Sequence, residues 1–200
     1  MRKLLILLVL VSDFNALAQT DNVSLKMGVK APNFTGFDQF GKYVNSKHIL
    51  KDKPILIVFY RGSWCTYCKK HLTELQENLE AFTQKGYYVV VVTPEKVDKT
   101  KEITDKLGLG FSILHDSDNK IMKSYQVIYE VNEQNVTNYY EIIKQKVKEY
   151  NVENNLILPI TATYIINKKG KIGFVQFNPD YSKRADFKRA FENFIVSKLC

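Results

Sequence analysis

Two cysteines three residues apart, in Trp64-Cys65-Thr66-Tyr67-Cys68, are the residues of this chain best suited to covalent chemistry. They follow the apolar, β-rich run Ile55 to Tyr60 and precede a helical repeat, so Cys65 is expected at a helix start and Cys68 one turn on. Two sulfurs so placed can reach one another and close a disulfide. Unsatisfied N–H groups and the positive end of that helix favour a thiolate at Cys65, which points to it as the attacking sulfur. Arg61, Lys69 and Lys70 bring positive charge to the same stretch, and Trp64 and Tyr67 supply an apolar rim. Such a dithiol holds both electrons of a two-electron exchange, so no organic cofactor is called for.

The same spacing also serves metal sites. Cys200 is the only other cysteine, which excludes a four-sulfur zinc site and leaves a mixed site that would recruit His71 or His115. A redox-gated carrier of Cu(I) or Zn(II) through Cys65, Cys68 and His71 is therefore the alternative to thiol exchange. Cys200 ends the chain and is expected to be dispensable. No glycine-rich phosphate loop, Ser/His/Asp arrangement or paired-carboxylate site accompanies these residues, so hydrolase and nucleotide-binding readings drop out.

The elements that must position the dithiol alternate between strand and helix. Ile55 to Tyr60 and Tyr87 to Thr93 are continuous apolar runs of the kind buried central strands show. Between them Leu72, Leu75, Leu79 and Phe82 recur at helical spacing before Gly86, which completes a right-handed βαβ unit. A helix over 96–106, a strand near 111–114 and a short helix over 119–125 continue the rhythm. Ala162 to Ile166 and Ile172 to Phe177 flank Asn167-Lys168-Lys169-Gly170, the turn chemistry of an antiparallel hairpin. A last helix is expected over 186–198, with Phe187, Phe191 and Ile195 on one face. Residues 127–157 interrupt the alternation. They hold an extra helix over 138–150, with an Asn138-x-x-Glu141 cap signal and a stripe of Tyr139, Ile143, Val147 and Tyr150 expected to cover core or a sheet edge.

The 200 residues are 45% hydrophobic and 25% charged, enough for one packed domain and far from a disordered chain. The net charge of +8 is carried mostly by lysine, with arginine only at positions 2, 61, 184 and 189. Without clustered arginine or interleaved aromatics, this reads as a solvated surface, and no nucleic-acid partner is expected. Residues 1–18 read as an export signal: basic Arg2 and Lys3, the apolar run Leu4 to Val11, and Ala16-Leu17-Ala18 before the cut. The apolar run is shorter than the roughly 20 residues of a membrane span. Residues 19–200 then form the mature domain, with no stable membrane insertion after cleavage. Export would place the thiols in a compartment where disulfides persist, such as a bacterial periplasm.

The order of motifs resembles the thioredoxin superfamily, and within it the peroxiredoxin-like branch related to alkyl hydroperoxide reductase and thiol-specific antioxidant proteins. The resemblance is carried by Lys30-Ala31-Pro32-Asn33-Phe34, by Val58 to Cys68, by Ser112 to Asp118, and by Leu158-Pro159-Ile160-Thr161-Ala162-Thr163-Tyr164. It implies a thioredoxin-like α/β sandwich of three layers, a central mixed sheet with helices on both faces. It also implies a thiol-disulfide oxidoreductase or thiol-dependent peroxidase, with a peroxide or a protein disulfide as substrate. The electron donor would be a thioredoxin-like protein or a disulfide reductase.

Two alignments of the cysteines follow from the resemblance. In the peroxiredoxin pattern Thr-x-x-Cys, Cys68 falls on the peroxide-attacking position and Cys65 on the Thr. In the thioredoxin pattern Cys65 attacks and Cys68 resolves. The position held by a cis-Pro in thioredoxins, or by Arg in many peroxiredoxins, is Thr161. This residue is expected to lie against the two sulfurs and donate a hydrogen bond to the thiolate. Arg61, Trp64, Tyr67 and Thr161 form the expected substrate contacts. The strand Ile55 to Tyr60 lacks the buried acid through which thioredoxins deprotonate the resolving thiol, so a glutamate from elsewhere or a water would have to replace it.

Overall fold

The computed structural model describes residues 24–134 and 138–190. The expected export signal at 1–18, Cys200, and the helix positions Phe191 and Ile195 lie outside the described residues. In chain order the elements are β1 (Thr35–Phe37), β2 (Tyr43–Asn45), α1 (Ser46–Asp52), β3 (Ile55–Phe59), α2 (Thr66–Glu77), α3 (Leu79–Gln84) and β4 (Tyr88–Thr93). There follow α4 (Val97–Leu107), β5 (Ser112–His115), α5 (Lys120–Ser124), β6 (Ile128–Glu130), α6 (Tyr140–Tyr150), β7 (Ile157–Pro159), β8 (Thr161–Ile166) and β9 (Ile172–Asn178). A helix begins again over 187–190.

The central sheet has the order β5-β4-β3-β8-β9. β4 runs parallel to β3 and β5, whereas β8 is antiparallel to β3 and β9, so the sheet is mixed as expected. All five residues of β3 are buried, because both faces are covered. Leu56, Val58 and Tyr60 face one core with Leu72 and Leu75 of α2, Ile103 of α4, and Phe187. Ile55, Ile57 and Phe59 face the other, with Val44 of β2, Ile121 and Met122 of α5, and Tyr125. This alternation follows from the two-residue period of a strand. Each such side chain stabilises the fold by about 1.5–3 kcal/mol through burial.

Three local outcomes differ from the sequence expectation. The helix after Cys68 breaks at Asn78, whose amide side chain donates to the Glu74 carbonyl and competes with the helical ladder. The insertion helix is capped at Tyr139, and no side chain makes the cap hydrogen bond that Asn138 and Glu141 signalled. The insertion is instead closed by an antiparallel pair, β6 with β7, and its helix is seated by Ile143 and Val147 against Val131 and Leu158. The hairpin turn is as expected, with Gly170 at φ 75°.

Candidate active site

β3 delivers the chain to the site at its carboxyl end, and residues 60–64 form the loop that carries it into α2. Cys65 is the N-cap of α2, in extended conformation (φ −87°, ψ 119°), with no side-chain oxygen to satisfy the first N–H groups. The neighbouring Cys68 favours the charged form of the Cys65 sulfur through hydrogen bonding, from its thiol first and its backbone N–H second. These bonds, followed by the positive charges of Arg61 and Arg184, hold the Cys65 thiol below its ordinary pKa despite the opposing effect of burial. Cys68 is fully buried, and desolvation together with the neighbouring Cys65 sulfur pushes its pKa well up. The two share one proton, and burial assigns it to Cys68. Both are free thiols in this structure.

A cavity of about 470 Å³ opens in front of Cys65. Trp64, Tyr67, Tyr181 and Pro159 contribute to its walls, and Tyr139, Ile142 and Ile143 line it from the insertion. The helix expected only to cover core thus has two roles: Ile143 and Val147 are buried, while Ile142 and Tyr139 remain exposed at the rim. Arg61 is buried, its guanidinium 5.6 Å from the Trp64 ring and 5.0 Å from the Tyr181 ring. Such stacking fixes a cation beside the thiolate without pairing it.

Thr161 lines the same cavity, but the direct donor to sulfur is Arg184. Arg184 Nη1 donates to Thr161 Oγ1 at 2.6 Å, and Nη2 donates to Cys68 Sγ at 3.5 Å. The threonine hydroxyl therefore acts as an acceptor that aims the guanidinium, which corrects the expectation of a hydroxyl donating to the thiolate. Pro159 is trans, as are all peptide bonds among the described residues.

His71 does not join the thiols as a ligand. Its ring stacks on Phe187 at 4.6 Å, and burial depresses its pKa to about 3. No three His, Cys, Asp or Glu side chains gather to hold a metal among the described residues. The geometry thus overturns the Cys65/Cys68/His71 carrier: the helix turn that aligns His71 with Cys68 also carries its ring into the core. His115 packs at the end of β5, with Nδ1 3.1 Å from the Glu95 carbonyl oxygen.

Glu95 and Arg184 are the functional candidates that the sequence alone did not single out. Glu95 has no exposed surface, and its carboxylate accepts from Tyr60 Oη at 2.6 Å and from both Ser63 N and Ser63 Oγ at 2.8 Å. Desolvation raises its pKa, and burial followed by the charge of Glu95 likewise pushes the Tyr60 phenol well up. The readable signal for Glu95 was its place just beyond β4, since the carboxyl ends of adjacent parallel strands converge on one site. Arg184 had no local signal. It lies in an irregular segment after β9, and only the folded chain brings it to the sulfurs.

A Cβ on Gly62 would overlap Trp64 Nε1, so the indole needs a glycine beneath it. We expect Gly62→Ala to displace the ring and cost about 1–3 kcal/mol. Trp64 is the only tryptophan, so its fluorescence maximum should shift to the red alongside a lower denaturation midpoint.

A model of the AhpC/TSA family matches residues 27–175. The chain belongs to that family. It is 30% identical over 108 residues to the thiol-disulfide oxidoreductase ResA of Bacillus thuringiensis (strain Al Hakam), a match covering 54% of this chain and 61% of the relative. It is 27% identical over 158 residues to the chloroplastic peroxiredoxin Q of Oryza sativa subsp. japonica, covering 76% of this chain and again 61% of the relative. The chain therefore spans less than two thirds of the length of either. Among solved structures, the peroxidoxin BcpB of Mycobacterium tuberculosis superimposes with a TM-score of 0.68 at 16% identity, covering 86% of this chain and 97% of that one. That likeness shows the fold: the AhpC/TSA chain has the thioredoxin-like three-layer architecture of peroxiredoxins.

Proposed function

We propose that this chain is an exported thiol-disulfide oxidoreductase in which Cys65 attacks and Cys68 resolves. The observation that carries the reading is the asymmetry of the pair: Cys65 borders the cavity with a depressed pKa, while Cys68 lies sealed beneath it with a raised one. The Cys65 thiolate attacks one sulfur of a substrate disulfide, forming a mixed disulfide and releasing the other substrate sulfur as a thiolate. Cys68 then gives up its proton and attacks Cys65, which releases the second substrate thiol and leaves a Cys65–Cys68 disulfide. Two electrons pass to the substrate, and an external thiol donor restores the pair. Because Cys68 is closed to water, its proton needs an internal acceptor, and the buried Glu95 carboxylate behind Tyr60 is suited to that role. Arg61, Trp64, Tyr67 and Thr161 border or support the substrate cavity. Stabilising the Cys65 thiolate favours the reduced form and makes the couple more oxidising.

A second reading is a thiol peroxidase, favoured by membership of the AhpC/TSA family. There the Cys65 thiolate takes an oxygen from a hydroperoxide, an alcohol or water leaves, and Cys68 condenses with the sulfenic acid to release water. The size and aromatic walls of the cavity suit a polypeptide segment better than two bonded oxygens, which ranks disulfide exchange first. Residues 1–18 are assigned to export on their composition. No helix among the described residues is long and apolar enough to cross a membrane.

Stopped-flow oxidation of the reduced protein, following the fluorescence of Trp64, tests the reading. A protein disulfide should oxidise it faster than hydrogen peroxide at equal concentration, and peptide mapping should find Cys65 joined to Cys68. Faster oxidation by peroxide would transfer the assignment to the peroxidase. Dominant linkage of either cysteine to Cys200 would refute the resolving role of Cys68.

A further inference from the structure

We propose that a lysine-lined cleft behind Trp64 binds the carboxylates of an anionic low-molecular-weight thiol, which reduces the Cys65–Cys68 disulfide. The inference rests on the dithiol exchange proposed above and names the chemistry of its electron donor. The cleft, about 270 Å³, lies between the active-site loop, α2, α4 and α6. Trp64 is the wall it shares with the substrate cavity that Cys65 lines, so the cleft adjoins the reacting site across that ring. Lys69, Lys99, Lys106 and Lys146 converge on it.

The charge balance decides the class of ligand. Lys99 is paired with Glu102 at 3.7 Å and Lys146 with Glu149 at 3.2 Å, whereas Lys69 and Lys106 make no ion pair among the described residues. Two ammonium charges are thus left over in a concave site, which suits a dianion rather than a single carboxylate. The site is also partly assembled in advance. Lys99 and Lys146 both lie over the Tyr150 ring, 5.0 and 5.3 Å from its centroid, which reduces the side-chain entropy lost on binding. Lys99 is held on α4 and Lys146 and Tyr150 on α6, so the insertion builds one side of the cleft. The walls of the substrate cavity are mostly aromatic and aliphatic, and its lining cation, Arg61, is engaged by the Trp64 and Tyr181 rings at 5.6 and 5.0 Å, whereas the cleft gathers four lysines.

The reaction balances with two equivalents of thiol. The first thiolate attacks Cys65 Sγ, the S–S bond to Cys68 breaks, and Cys68 leaves as a thiolate that takes up a proton. The second attacks the resulting mixed disulfide at the donor sulfur, releasing the oxidised donor and the Cys65 thiolate. Two donor thiols are oxidised and one protein disulfide is reduced.

The test compares reduction of the oxidised full-length protein by mercaptosuccinate, 2-mercaptoethanol and cysteamine, which carry two negative charges, none and one positive charge outside the thiol. Rates are expressed per thiolate. We expect mercaptosuccinate to exceed mercaptoethanol by about tenfold at low salt and cysteamine to be slowest. The advantage should collapse in the Lys106→Gln/Lys146→Gln double variant and at high ionic strength, with the mercaptoethanol rate unchanged. Succinate, which has no thiol, should inhibit the mercaptosuccinate reaction and leave the mercaptoethanol reaction alone. Equal per-thiolate rates for the three donors in the unmodified protein, or an advantage that survives the double substitution, would overturn the proposal. So would an advantage that appears only with an acidic protein donor. If the double variant does not fold, the salt and succinate responses of the unmodified protein decide the matter. Failure of mercaptoethanol to reduce the disulfide at all would instead bring down the exchange reading beneath it.

Discussion

Cys65→Ser should abolish thiol exchange, with a loss on the order of a thousandfold or more, because an alcohol at its ordinary pKa is a poor nucleophile at neutral pH. Cys68→Ser should behave differently. The attacking sulfur and its access are intact, so the first step proceeds and a mixed disulfide with substrate accumulates at Cys65. The difference follows from placement: Cys65 is the N-cap residue of α2 and lines the cavity, and Cys68 is sealed one turn further in. Non-reducing electrophoresis with a disulfide-bonded protein substrate reads both outcomes. Adducts on Cys68 in the Cys65→Ser protein, and none on Cys65 in Cys68→Ser, would transfer the attacking role to Cys68 and support the peroxiredoxin alignment.

Glu95→Gln should slow resolution by about ten- to a hundredfold while leaving the first attack nearly unchanged, the size expected when a positioned proton acceptor is lost. The substitution keeps the shape that holds Ser63, and it removes both the charge and the capacity to accept a proton. The sign of the pH dependence follows from burial, which raises the Glu95 pKa. As pH falls through that raised value, the carboxylate is protonated and can no longer take the Cys68 proton, so resolution should weaken with acid in the unmodified protein. In Glu95→Gln this limb of the profile should disappear. Folding stability gives the opposite contrast. A carboxylate whose pKa is raised by folding destabilises the native state as pH rises, so the neutral amide should cost little stability at neutral pH and can even add some. Rapid-quench separation of mixed disulfide from closed disulfide measures the two steps apart. An unaltered resolution rate would remove Glu95 from the proton path and leave it the task of holding Ser63.

The parts legible in the sequence are those governed by local periodicity. β3 and β4 announce themselves as apolar runs because both faces of the sheet are covered, and Cys65 at the start of α2 follows from the strand before it and the helical spacing after it. Gly170 and the hairpin it closes were readable for the same reason. The interior of the site was less so. Arg184 reaches Cys68 across 116 residues of chain, and Glu95 reaches Ser63 across 32, and no window of sequence reports contacts of that separation. The cap signal at Asn138 was overridden by packing: closure of β6 on β7 and burial of Ile143 and Val147 fix the helix wherever its cap falls. Of the stripe on α6, Ile143 and Val147 pack as expected, but Tyr139, its first member, is exposed and borders the substrate cavity beside Ile142, a role that periodicity cannot reveal. His71 shows the same limit from the other side. Its spacing from Cys68 suits a shared ligand face, and only the ring stacked on Phe187 shows that it serves the core.

The most direct test of the central claim is the pH dependence of alkylation of the fully reduced protein by iodoacetamide, with the modified cysteine identified by peptide mapping. Cys65 should carry the label first, and its rate should stay high well below the ordinary thiol range, falling only as pH drops through a value near 6. Cys68 should remain unlabelled throughout that range, since burial keeps it protonated and closed to the reagent. Labelling of Cys68 ahead of Cys65, or a Cys65 that titrates like an ordinary exposed thiol, would contradict the account.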